Sequence, residues 1–226
     1  MFLVLASIAD TAAASFASDA AAWLFTCADL ATYPMSVHHP DLLSSHITVG
    51  GREVGVGEVE GVVNLLPVVL PDELNFYPRE EREYQAAELQ ALLTFLLSAL
   101  PCPVTNRPSP ISLSGGCGSP LGWMDLAHSL GIGVSSLALD SASLEDRSVR
   151  AREDTDIVVG CLGGAVIAPS GTCADRMTLD LSRAARVEYL RVDYERDGAA
   201  LRFRHARTVP DLRDAATRAA LARHLS

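Results

Sequence analysis

Short apolar runs alternate with segments of helical periodicity over the first 139 residues, and that alternation limits the chain to an α/β fold built on a parallel sheet. Residues 2–6 form a continuous apolar run of strand length, and Asp10 stands where it caps a helix running through the alanine-rich segment to about Cys27. Residues 30–37 are expected to form a second strand, residues 47–56 a hairpin around Gly50-Gly51, and residues 62–66 a short buried strand. After Pro78, the acidic Glu80, Glu81 and Glu83 occupy the first turns of a helix, where its dipole favours negative charge. Leu89, Leu92, Leu93, Leu96 and Leu100 then repeat at helical spacing until Pro101 and Pro103 end it, which predicts a leucine face packed on the sheet. A short strand at 103–106, a Pro- and Gly-rich loop at 107–120, a helix at 121–130 and a strand at 133–139 complete the alternation.

Residues 140–154 are polar and charged and read as an exposed linker. Beyond them the pattern becomes a hairpin about Gly160 to Gly164, a helix from about Cys173 to Ala185, a strand pair around Asp197-Gly198, and a final helix with Leu212, Ala216, Ala219 and Leu225 on one side. The expected organisation is therefore an α/β domain over 1–139, a linker over 140–154 and a smaller α+β domain over 155–226.

At 226 residues with 49% hydrophobic and 20% charged residues, the chain is large and apolar enough for a packed core. The net charge of −10 argues against nucleic-acid binding or an anionic membrane surface through a broad electrostatic footprint. The apolar start has no basic region and is interrupted at Asp10, so it reads as a buried strand, neither a membrane span nor a signal peptide. Five cysteines without a close pair indicate reduced thiols and a cytoplasmic protein.

All 18 basic residues are arginine. Without lysine, a Walker phosphate loop, Schiff-base chemistry and a lysine-assisted kinase site are all excluded in their usual forms. His38, His39 and His46 lie near Asp41 at no recognised metal spacing, and no metal is expected. Cys117 sits in a glycine turn with no evident histidine partner. The loop around Ser114, Gly115 and Gly116 precedes a helix, where backbone amides suit an anion. Arg107, ahead of it, has two readings of equal standing: a bidentate anion ligand, or an arginine satisfying carbonyls in a rigid proline loop.

From Glu83 to Val134 the chain contains E-Y-Q-A-A-E-L-Q-A-L-L, then L-P-C-P-V-T-N-R-P, then L-A-H-S-L-G-I-G-V. These segments resemble the pre-ATP-grasp domain of the ATP-grasp ligases that modify peptides, the graspetide-type enzymes and their ribosomal-protein glutamate ligase relatives. A second stretch, R-V-D-Y-E-R-D-G-A-A-L-R-F-R-H-A-R-T-V-P-D, is similar to the last strand pair of the ATP-grasp fold. In the family that pair carries an Asp, then a Glu and an Asn two apart, then a Pro, and the polar three hold magnesium and nucleotide phosphates. Asp193 and Pro210 match, but His205 stands at the Glu position and Arg207 at the Asn position. Hard divalent cations beside phosphate require oxygen ligands, which a guanidinium cannot supply. Only the short polar stretch 140–156 stands where the family has a lysine-bearing subdomain.

The resemblance implies a pre-ATP-grasp-like parallel-sheet unit followed by a truncated ATP-grasp-like unit whose nucleotide site has decayed. The expected function is a non-catalytic accessory subunit without cofactor, binding a partner protein or peptide as a homo- or hetero-oligomer, with hairpin 47–56 as a candidate contact. Two alternatives stand beside it: a ligase-related subunit with a substrate pocket near Arg107, and a small-molecule binding module. The candidate ligand-binding residues are Arg107, Ser114, Gly115, Gly116, Asp193, His205 and Arg207; none is expected to be catalytic.

Overall fold

The computed structural model describes residues 1–33, 35–38, 40–135 and 157–225. His39, the expected linker 140–154 and the end of the strand expected at 133–139 lie outside the described residues. The chain divides into two compact units, one of Met1–Gly116 with Thr208–Ser226, the other of Cys117–Arg207.

The first unit is built on a four-stranded parallel sheet of order β2-β1-β5-β6, comprising β1 (Phe2–Leu5), β2 (Trp23–Phe25), β5 (Gly61–Asn64) and β6 (Val104–Thr105). Helix α1 (Thr11–Asp19) begins at Asp10, whose carboxylate accepts from the amides of Ala12 and Ala13. It ends eight residues earlier than expected at Cys27, because Trp23-Leu24-Phe25 pairs alongside β1. The segment expected as a strand at 30–37 instead begins within helix α2 (Cys27–Thr32), nucleated by a reciprocal Thr26/Asp29 capping box.

The hairpin β3 (His46–Val49) and β4 (Arg52–Gly55) turns through Gly50 and Gly51, both at positive φ, where a side chain would be strained. Its Ile47, Val49 and Val54, and the following Val56, are buried in the unit's own core. These apolar side chains thus serve the chain's own core, and β3 and β4 form a two-stranded sheet of their own. Helix α3 (Arg82–Ala99) carries the leucine stripe as expected, with Leu89, Leu93, Leu96 and the adjacent Leu100 buried in the core that also holds Leu3, Leu5, Val62 and Val104. The closing helix α6 (Ala215–Leu225) belongs to this unit and buries Thr217, Ala220 and Leu221, whereas Ala219 is exposed.

The second unit is an antiparallel sheet of order β10-β9-β7-β8, formed by β7 (Ile157–Leu162), β8 (Ala165–Val166), β9 (Tyr189–Asp197) and β10 (Ala200–Arg207). Helices α4 (Pro120–Ser129) and α5 (Cys173–Ala185) complete it. Val159, Cys161, Val192, Tyr194, Phe203 and Ala206 share a core with Trp123, Ala127, Ala174 and Leu181 of those helices. Among the described residues no helix is long and apolar enough to cross a membrane.

Candidate functional site

Alternation along β9 places Val192 and Tyr194 in the core and turns Arg191, Asp193 and Glu195 to the other face. Across the antiparallel ladder Glu195 faces Arg202, Asp193 faces His205, and Arg191 faces Arg207. The register is regular from Ala200↔Asp197 to Phe203↔Tyr194 and then shifts by one residue between Phe203 and His205. Arg204 is the extra residue of this bulge, and with it taken out of phase His205 and Arg207 share the polar face with Asp193. The structure thus brings three of the candidate residues together and adds Arg191, Glu195 and Arg202.

The charges of this face are partly matched. Asp193 Oδ1 lies 3.8 Å from Arg191 Nε, Ser135 donates to Glu195 at 2.8 Å, and Arg202 Nε donates to Asp197 at 2.8 Å. Burial pushes the His205 imidazole below its ordinary range, and the neighbouring Arg207 and Arg204 act in the same direction, against the opposing Asp193. Arg207 is exposed at the end of β10.

The remaining candidates lie in the first unit. The Arg107 guanidinium turns back onto the end of α3, donating to the carbonyls of Leu97 at 2.8 Å, Ser98 at 3.3 Å and Cys102 at 2.6 Å. That is the carbonyl-satisfying geometry of the two weighed for it. Ser114 is buried, with its hydroxyl 2.9 Å from Thr208 Oγ1 and 3.1 Å from Ser112 Oγ, and Asn106 Nδ2 donates to the Thr208 carbonyl at 2.6 Å. Gly115 and Gly116 both adopt positive φ, and the Gly115 amide donates to Ser112 O. Burial raises the Cys117 thiol above its usual range, which lowers the thiolate population a nucleophile needs. Within the second unit, an open groove of about 690 Å3 is lined by Leu130, Met177 and Leu201 together with Cys173, Arg176 and Arg183.

No protein-family model matches the sequence, and no curated protein matches it. Solved structures do. The macrocyclase MdnC from Microcystis aeruginosa MRC, crystallised with its precursor peptide MdnA, superposes with a TM-score of 0.73 at 11% identity, covering 100% of this chain and 99% of that one. The chain has the fold of the ATP-grasp ligases. The ATP-grasp ligase PsnB, complexed with a minimal precursor, Mg and ADP, matches with a TM-score of 0.66 at 13% identity over 99% of this chain and 96% of its own. A RimK domain protein from Sphaerobacter thermophilus DSM 20745 matches with a TM-score of 0.54 at 12% identity over 100% and 99%.

That fold implies magnesium and a nucleotide, and the residues of the β9–β10 face do not fit them. Asp193 is already beside Arg191, Glu195 accepts from Ser135, and the two positions opposite Asp193 and Arg191 carry an imidazole and a guanidinium. A hard cation needs several oxygen ligands at one point, and a guanidinium at such a position repels it. Among the described residues no three His, Cys, Asp or Glu side chains converge to hold a metal ion.

Proposed function

We propose that this chain is a non-catalytic ATP-grasp-like protein that binds a peptide or protein partner in a peptide-modification complex. The observation carrying the reading is Arg207 on the same sheet face as Asp193, at a position where the resemblance implies an oxygen ligand for magnesium. The absence of lysine from the whole sequence supports it, since nucleotide phosphates lose that contact as well. Support for a peptide partner comes from the neighbours of this fold, MdnC and PsnB, which were crystallised with precursor peptides. The groove of the second unit suits an amphipathic peptide, because its apolar Leu130, Met177 and Leu201 lie beside a charged row of α5 in which Asp180 pairs with Arg176 and Arg183.

The test has two arms. Calorimetric titration with MgATP is expected to give no saturable heat, and micromolar affinity that depends on magnesium would overturn the non-catalytic reading. Purification from the native source at moderate salt is expected to retain a second polypeptide in stoichiometric amount. Recovery of the chain alone, under conditions where it stays folded, would overturn the partner reading.

A further inference from the structure

Aromatic rings flank the Gly50-Gly51 turn of the β3–β4 hairpin. A Cβ on Gly50 would stand 4.0 Å from the Trp23 ring, and one on Gly51 would stand 3.5 Å from the Tyr33 hydroxyl, so each glycine admits a ring close to the turn. Asp29 of α2 fixes the turn in place, its Oδ1 accepting from the Gly50 amide at 2.9 Å while its Oδ2 accepts from the Thr26 amide and hydroxyl. Arg52, the first residue of β4, lays its guanidinium over Trp23, 5.4 Å from the ring centroid. Trp23 is half-buried, Tyr33 is 41% exposed and Arg52 is exposed.

The acidic groups around this cluster leave the guanidinium alone. Both oxygens of Asp29 are engaged by the turn and by its own helix cap, and Glu58 accepts from the Gly55 amide. Glu53, next along β4, projects from the opposite face of the strand. The contact given to the guanidinium is the Trp23 ring, and no carboxylate among the described residues pairs with it. By contrast Arg82, Arg107, Arg183, Arg202 and Arg218 each bond to a carbonyl or a carboxylate. Stacking covers the face of a guanidinium and leaves its N–H edge outward, the donor pattern that a carboxylate takes bidentately.

We infer that Arg52, Trp23 and Tyr33 form a docking point on the first unit for a peptide segment of a partner protein that presents a carboxylate beside an apolar side chain. The carboxylate takes the guanidinium edge and the apolar side chain packs on the rings; arginine and aromatic residues are the types that concentrate at interface centres. In a chain whose net charge is −10 the attraction is local, so the carboxylate has to sit on Arg52 itself. The inference goes beyond the proposed function, because neither the loss of magnesium nor the groove of the second unit enters it.

The test titrates the full chain with a pair of acetylated, amidated peptides, Leu-Glu-Phe-Glu-Leu and its uncharged counterpart Leu-Gln-Phe-Gln-Leu, and reads tryptophan fluorescence. Trp23 reports on the site, because the other tryptophan, Trp123, is buried in the core of the second unit. The Glu peptide is expected to give a saturable change and the Gln peptide to bind about tenfold or more weakly, as loss of a charge-assisted bidentate contact requires. Arg52→Gln is expected to weaken the Glu peptide to the same degree. Arg79→Gln, at an exposed arginine of the same unit outside the cluster, is expected to leave it unchanged. Absence of binding, equal affinity for the two peptides, or equal weakening by both arginine variants overturns the site and leaves the proposed function standing. A fluorescence change that persists in Trp23→Phe arises elsewhere and overturns it too. Circular dichroism establishes that each variant keeps the fold, and if Trp23→Phe loses it, Arg52→Gln decides.

Discussion

Arg107 shows how one residue type supports two readings until its donors are located. Its three carbonyl acceptors lie at Leu97, Ser98 and Cys102, at the end of α3 and in the turn that follows, where a helix leaves carbonyls without intrahelical partners and favours positive charge. Hydrogen bonds of a charged donor contribute about 1.5–3 kcal/mol each at most when the acceptors are shielded. Arg107→Met is thus expected to destabilise the protein by roughly 1–3 kcal/mol. Urea denaturation is the measurement, and a midpoint equal to that of the parent chain would mean that the side chain is held for a ligand instead. Sequence left the two uses level because the T-N-R-P motif fixes neither which way the side chain turns nor which carbonyls are orphaned. The same limit applied to Ser114, whose hydroxyl reaches Thr208, 94 residues away in the chain.

At the scale of elements, legibility followed the strength of local signals. The leucine periodicity of α3, the Gly50-Gly51 turn and the limits of α5 rest on side-chain spacing and positive-φ glycines, and the structure has them where the pattern put them. Strand β2 did not announce itself, because alanine propensity ran unbroken toward Cys27 while the pairing of Trp23–Phe25 with β1 is a tertiary interaction. The bulge in β10 was equally silent, although it decides which residues face Asp193. From Ala200 to Phe203 the strand alternates regularly; a regular ladder continued through Arg204 would send His205 and Arg207 into the core, and the extra residue prevents this. Deleting Arg204 is therefore expected to be tolerated, because it restores strict alternation with Phe203 and Ala206 inward and His205 and Arg207 outward. Thermal melting checks it. A deletion variant that fails to fold, or melts far below the parent chain, would show the register to be set otherwise.

The whole molecule is not arranged in chain order. The first unit combines Met1–Gly116 with Thr208–Ser226, so the chain leaves it at Cys117, builds the second unit and returns after Arg207. The return is held by the Asn106 side chain on the Thr208 carbonyl, by Ser114 on the Thr208 hydroxyl, and by an ion pair between Arg218 of α6 and Asp19 of α1. Helix α6 then inserts Leu221, which is fully buried. A large-to-small change at such a site costs about 2–5 kcal/mol, and the informative question is where that loss is felt. Amide exchange of the full-length Leu221→Ala variant is expected to lose protection in β1, β5 and α1, distant in sequence, while β7 and β9 retain theirs, because cooperative opening follows packed units, not chain order. Protection lost instead from β9 and β10, the elements that immediately precede α6, would show that residues 155–226 behave as one folding unit.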